Sequence, residues 1–177
     1  MEFKEGGFQL KAIGESKNDL EIRYYEDFFP GGATSITIIK VKNNLISGDY
    51  FFKRNDMMQR TRPDSVRNVK NWERHPFIRF KISSVRLDTL INELFYNNLM
   101  SLKNQSEILN GRGYKINYSI AYKVNSHYGN FSFGDPKLFL KDNPDIKEFQ
   151  KYDEIIRLFR NLSKQFNSTV ENYDVIE

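Results

Sequence analysis

Arginine is the residue type whose number and spacing in this chain point to chemistry. Seven of the eleven arginines lie between Lys53 and Arg86, a stretch that also holds the single tryptophan, Trp72, and one of the two histidines, His75. Ten Lys/Arg stand there against Asp56, Asp64 and Glu73, a net of +7 in a chain whose total is only +4. A guanidinium presents a planar fork of donors that matches carboxylate and phosphate oxygens, so such a cluster is a candidate binding surface for an acidic partner. The candidate contact residues are Arg54, Arg60, Arg62, Arg67, Lys70, Trp72, Arg74, Arg79 and Lys81. Trp72 could stack on a base or anchor a protein interface, since Trp and Arg are both enriched where binding energy concentrates. The plain alternative is a solvated basic loop with Trp72 tucked into the core.

Other chemistries find less support. His75 and His127 could form an acid/base pair with Arg74 and Arg79 as phosphate binders, but nothing in their spacing brings them together. Glu26-Asp27 and Asp153-Glu154 are adjacent carboxylates; on a strand such neighbours point to opposite faces, and on the second pair's helix they lie on the polar side. Pro63-Asp64 with Glu73 and Arg74 is only a faint match to a nuclease metal site. Gly6-Gly7, Gly31-Gly32 and Asn110-Gly111-Arg112-Gly113 lack the Gly-Lys-Ser/Thr that completes a phosphate-cradling loop. With no cysteine, disulfides, thiolate zinc sites and cysteine nucleophiles are excluded. No catalytic residue, metal site or cofactor is therefore expected.

The elements that must position the cluster follow from periodicity. Leu20–Phe28 and Thr34–Val41 read as strands, with Phe28-Phe29-Pro30-Gly31-Gly32 as a breaker between them. Asn43-Asn44 and Ser47-Gly48-Asp49 read as turn signals, with a strand returning over Asp49–Arg54. Phe8–Ile13 is a candidate short strand. Asn55–His75 has weak periodicity and reads as a long loop or a short helix, and Phe77–Ile82 as a strand with Arg79 and Lys81 on one face. Leu87, Leu90, Ile91, Leu94, Phe95 and Leu102 predict a helix over Ser84–Leu102. Tyr114–Val124 alternates without a fault, and Asn130–Phe133 continues as strand until Gly134-Asp135-Pro136. Asn143-Pro144-Asp145 predicts a helix start, with Ile146, Phe149, Ile156, Phe159, Leu162 and Phe166 as its buried stripe and a frayed tail over 167–177.

The expected fold is a single α+β domain over residues 1–177, an antiparallel meander with two main helices packed on one face. Fifteen Phe and ten Tyr supply enough burial area for a real core.

Asn104-Gln105-Ser106-Glu107-Ile108, Gly113-Tyr114 opening an alternating strand, Phe131 to Pro136 and the Pro144-Asp145 helix start resemble a group of small uncharacterised proteins common in Bacteroidetes. The likeness covers roughly residues 84–166 and implies an α+β fold; none of its motifs is catalytic. Members of that group often begin with an export signal, whereas Met1 to Gly7 has no apolar signal core. The expected compartment is cytoplasmic for the chain as written, and periplasmic or exported where a signal has been removed. No run approaches the length of a membrane span.

Together these readings point to a non-enzymatic binding protein, of the immunity-protein or inhibitor kind, that occludes a toxin or defence-system partner through the basic surface. An acidic protein is the expected partner. A nucleic-acid-binding module using residues 53–86 is the second reading and an exported envelope protein the third. Oligomeric state has no signal in the sequence.

Overall fold

Alternation of apolar and polar residues divides each strand between two faces, and the structure uses that division throughout. A computed structural model of the chain describes residues 3–5, 8–10, 12–28, 33–54, 78–82, 84–109 and 117–172. Two short strands, β1 (Phe3–Glu5) and β2 (Phe8–Leu10), pair with each other. The main sheet comprises β3 (Leu20–Phe28), β4 (Ala33–Lys42), β5 (Leu45–Arg54), β6 (Ile78–Ile82), β7 (Tyr118–Val124) and β8 (His127–Phe133). Its order is β6-β5-β4-β3-β7-β8, and every pairing is antiparallel.

The helices are α1 (Ser84–Tyr96), α2 (Gln105–Ile108), α3 (Pro136–Asp142) and α4 (Lys147–Asn172). The expected single-domain class, an antiparallel sheet with its main helices on one face, is the fold observed. The meander runs β3 to β6. The chain then crosses by way of α1 and α2 and inserts β7 beside β3 rather than beside β6.

Several expected boundaries move, each for a local reason. Ser47-Gly48-Asp49 is not a turn: the reversal is made by Asn43 and Asn44 alone, at φ 52° and 62°, and β5 begins at Leu45. Two successive positive-φ residues form the tight turn whose twist suits a hairpin. Gly48 stays in the strand because α1 rests on it; a Cβ there would come 2.8 Å from Leu87 Cδ1. The helix expected over Ser84–Leu102 stops at Tyr96, where Asn98 turns left-handed (φ 55°) into a single 3-10 turn, Leu99–Ser101. The candidate strand Phe8–Ile13 ends at Leu10, and Ile13 opens a 3-10 turn, Ile13–Glu15. Gly134-Asp135-Pro136 ends β8 and also starts α3, since Asp135 Oδ1 accepts from Lys137 N at 3.0 Å with Pro136 in the first turn. Asn143 closes α3 instead of opening α4, and α4 runs from Lys147 to Asn172, beyond the expected end at Phe166. Residues 110–116 and 173–177 lie outside the described residues.

The core lies between the sheet and α4, which crosses the strands obliquely. Tyr152 stacks on Phe133 of β8 (4.3 Å between ring centroids), Phe159 on Tyr24 of β3 (4.1 Å), and Phe166 on Tyr50 of β5 and Phe80 of β6 (5.2 and 5.0 Å). One helix thus pins strands from both halves of the sheet. Each buried aromatic contributes roughly 2–3 kcal/mol of transfer free energy. α2 has another task. Asn104 Oδ1 accepts from Ser132 N (3.0 Å) and Gln105 Oε1 from Gly134 N (2.6 Å), satisfying outward-facing amides along edge strand β8. A capped edge cannot template pairing with another chain there.

Candidate binding surface

Strand β6 brings the described part of the basic stretch to the edge of the sheet. Register sets Arg79 beside Phe51 and Lys81 beside Asp49, on the face away from the helices. Arg79 donates from Nε to Asp49 Oδ1 (2.9 Å) and from Nη2 to Oδ2 (3.0 Å), and Lys81 Nζ lies 2.7 Å from Oδ1. The Arg79 guanidinium also sits 5.7 Å from the Phe51 ring centroid. The two cationic side chains are 54% and 69% exposed, whereas that of Asp49 is 11% exposed. Burial works to raise the Asp49 carboxyl, but the hydrogen bonds and charges of Arg79 and Lys81 outweigh it and hold the group below its ordinary value. The hydrogen bonds to Asp49 raise Arg79 in turn.

These two are the members of the expected set whose side chains can be placed. Arg60, Arg62, Arg67, Lys70, Trp72 and Arg74 lie outside the described residues, as does His75. Arg54 ends β5, its backbone opposite Ala33, and its side chain is likewise outside them. The shared face expected for Arg79 and Lys81 is observed. The sequence reading placed Asp49 only in a turn signal and at a strand start, because strand pairing alone sets it between Arg79 and Lys81.

A second polar cluster lies on the opposite, helix-covered face. Glu26, 3% exposed, accepts from Arg160 Nε (2.9 Å) and from the Tyr24 hydroxyl (3.1 Å), and Arg160 Nη2 donates to the Tyr118 hydroxyl (2.9 Å). Burial raises the Glu26 carboxyl, opposed by the Arg160 charge and hydrogen bond. Burial and the neighbouring Glu26 charge push the Tyr24 hydroxyl well up. The arrangement ties α4 to β3 and β7. Asp27, Glu26's sequence neighbour, faces the other way and is exposed, as expected for adjacent strand residues.

A third network borders β3 on the open face. The Arg23 and Glu21 side chains, 7% and 3% exposed, pair at 2.7 Å. Ser16 and Asn18 also donate to Glu21, while Lys123 Nζ donates to the Ser16 carbonyl. Burial would raise Glu21, but these donors leave it below its ordinary value.

His127 is exposed at the start of β8. Asp153 and Glu154 lie along α4, Glu154 paired with Arg157. Among the described residues no group of three or more His, Asp or Glu is placed to hold a metal ion, and no helix is long and apolar enough to cross a membrane. The geometry defines an α+β domain with a mixed-charge patch at one sheet edge. No family model, curated protein or solved structure matches the chain.

Proposed function

We propose that this is a non-enzymatic binding protein that occludes an acidic protein partner, in the manner of an immunity protein or inhibitor directed at a toxin or defence-system component. The observation that supports this reading is the Arg79–Asp49–Lys81 group: two cations held in a set geometry on an edge strand, each with more than half of its side chain in solvent. Preorganisation of this kind lowers the entropy lost on docking. The carboxylate between the cations favours a protein over a nucleic acid. Three groups share a net charge of +1, so a uniform polyanion gains little, whereas a protein surface offers both acceptors and donors. Phe51, itself buried, lies beneath the Arg79 guanidinium and helps to hold it in place.

Affinity capture from the native host tests the reading, comparing the wild type with an Arg79→Gln/Lys81→Gln variant whose unfolding midpoint is checked in parallel. The expected result is a protein retained by the wild type and weakened at least about tenfold by the variant. Recovery of nucleic acid alone, with affinity falling steeply between low and moderate salt, would overturn it in favour of the nucleic-acid module.

A further inference from the structure

The open face of the sheet carries a small apolar cluster, over which no helix lies among the described residues. Ile36, Ile38 and Phe51 are nevertheless 0%, 2% and 6% exposed. Leu10, the last residue of β2, packs against them together with Tyr25. The β1–β2 pair reaches this position without joining the main sheet: its register, Phe3↔Leu10, Lys4↔Gln9 and Glu5↔Phe8, is internal. A two-stranded ribbon buries too little to be stable alone, so its hold on the domain rests on contacts such as that of Leu10.

The chain just beyond is fixed differently. A Cβ at Gly14 would meet the Tyr128 ring at 3.5 Å, Asn18 Nδ2 donates to Glu21 at 2.6 Å, and Asp19 N donates to Val41 O at 2.9 Å. The segment is therefore moored to the sheet through hydrogen bonds on one side and rests on an apolar contact on the other. Beneath it, register makes Ile36 and Phe51 cross-strand neighbours, Phe51 neighbours Arg79, and Ile38 neighbours Asp49, which neighbours Lys81. The covered apolar patch and the exposed cationic edge are one continuous surface.

We propose that β1–β2 is a displaceable cover: closed, it shields Ile36, Ile38 and Phe51; displaced, it joins them to Arg79 and Lys81 as a single site for a protein segment with an apolar anchor and a flanking carboxylate. The identity of that occupant rests on the proposed function, whereas the cover does not. Opening exposes the patch without disturbing the aromatic core, which lies on the other face of the same strands.

Hydrogen exchange on the intact protein reads the cover directly. Amides of residues 3–10 are expected to exchange at least about a hundredfold faster than those of residues 35–40, as for a unit that opens below the global unfolding free energy. Equal protection would overturn the proposal. A full-length Leu10→Asp variant tests what lies beneath, with the anionic dye anilinonaphthalene sulfonate as probe. Dye fluorescence is expected to rise several-fold over the wild type with the near-ultraviolet circular dichroism of the core retained, and to fall again when Arg79→Gln is added. No rise in fluorescence, or a rise accompanied by loss of the core signal, would overturn it. Neither measurement uses the partner, so failure of the cover and failure of partner capture are separable.

Discussion

The two faces of the main sheet are made by alternate residues of the same strands, yet they are held by different forces. On one face, Tyr24, Tyr50, Phe80, Phe131 and Phe133 meet the aromatic stripe of α4. Burial dominates there, and among the described residues the buried carboxylate that interrupts it is Glu26, with Arg160 in attendance. On the other face, Glu21, Arg23, Asp49, Arg79 and Lys81 surround a cluster of three apolar side chains. One surface is closed over by a helix, and the other carries two cations, Arg79 and Lys81, with more than half of each side chain in solvent. The separation matters because a change on the open face need not propagate through a close-packed interior.

The sharpest test of that contrast is a cavity on the helical face. Phe159→Ala removes the ring stacked on Tyr24 and should cost about 3–5 kcal/mol, measured by urea unfolding. A loss below about 1 kcal/mol would mean that α4 is not the main support of the sheet.

Arg160→Met should rank next. It strands the Glu26 carboxylate in the core, and at neutral pH about 1–3 kcal/mol should be lost, discounted from a fully buried pair because Arg160 is 44% exposed. The pH dependence carries the signature of the face. Glu26 is raised above its ordinary 4.5, so its contribution is fully present below that pH and is lost as pH rises through the folded value. Without Arg160 that loss should steepen, and the variant should regain stability on mild acidification.

The smallest effect belongs to the open face, where Asp49→Asn should cost no more than about 1 kcal/mol, since its partners are largely exposed. Its linkage has the opposite sign. Asp49 is lowered below 3.8, so its contribution is present above that pH and is lost as pH falls through the folded value. Stability profiles of Glu26→Gln and Asp49→Asn against wild type should therefore diverge in opposite directions under acid. Curves of the same sign would erase the electrostatic distinction between the faces.

Much of this architecture is legible in the sequence because strand and helix periodicities are local. The alternation of Tyr118, Ile120, Tyr122 and Val124 assigns a face to every residue of β7, and the stripe from Phe149 to Phe166 assigns the buried side of α4. Arg79 and Lys81 are read onto one face for the same reason. Gly48 and Asn143 misled because each residue type has two uses. A glycine can serve a turn or a close approach, and Leu87 selects the second; an asparagine can open or close a helix, and the intervening α3 selects closure.

Composition and periodicity alone determine the α+β class, the inward face of the long elements and the excess of cations before β6. Tertiary structure alone decides which strands become neighbours. That choice sets β7 beside β3, Asp49 between Arg79 and Lys81, and Glu26 against an arginine 134 residues away. The physical reason is that a side chain's face follows from the backbone geometry of its own strand or helix. Its partner follows from how the whole chain buries its apolar area, and no local pattern records that.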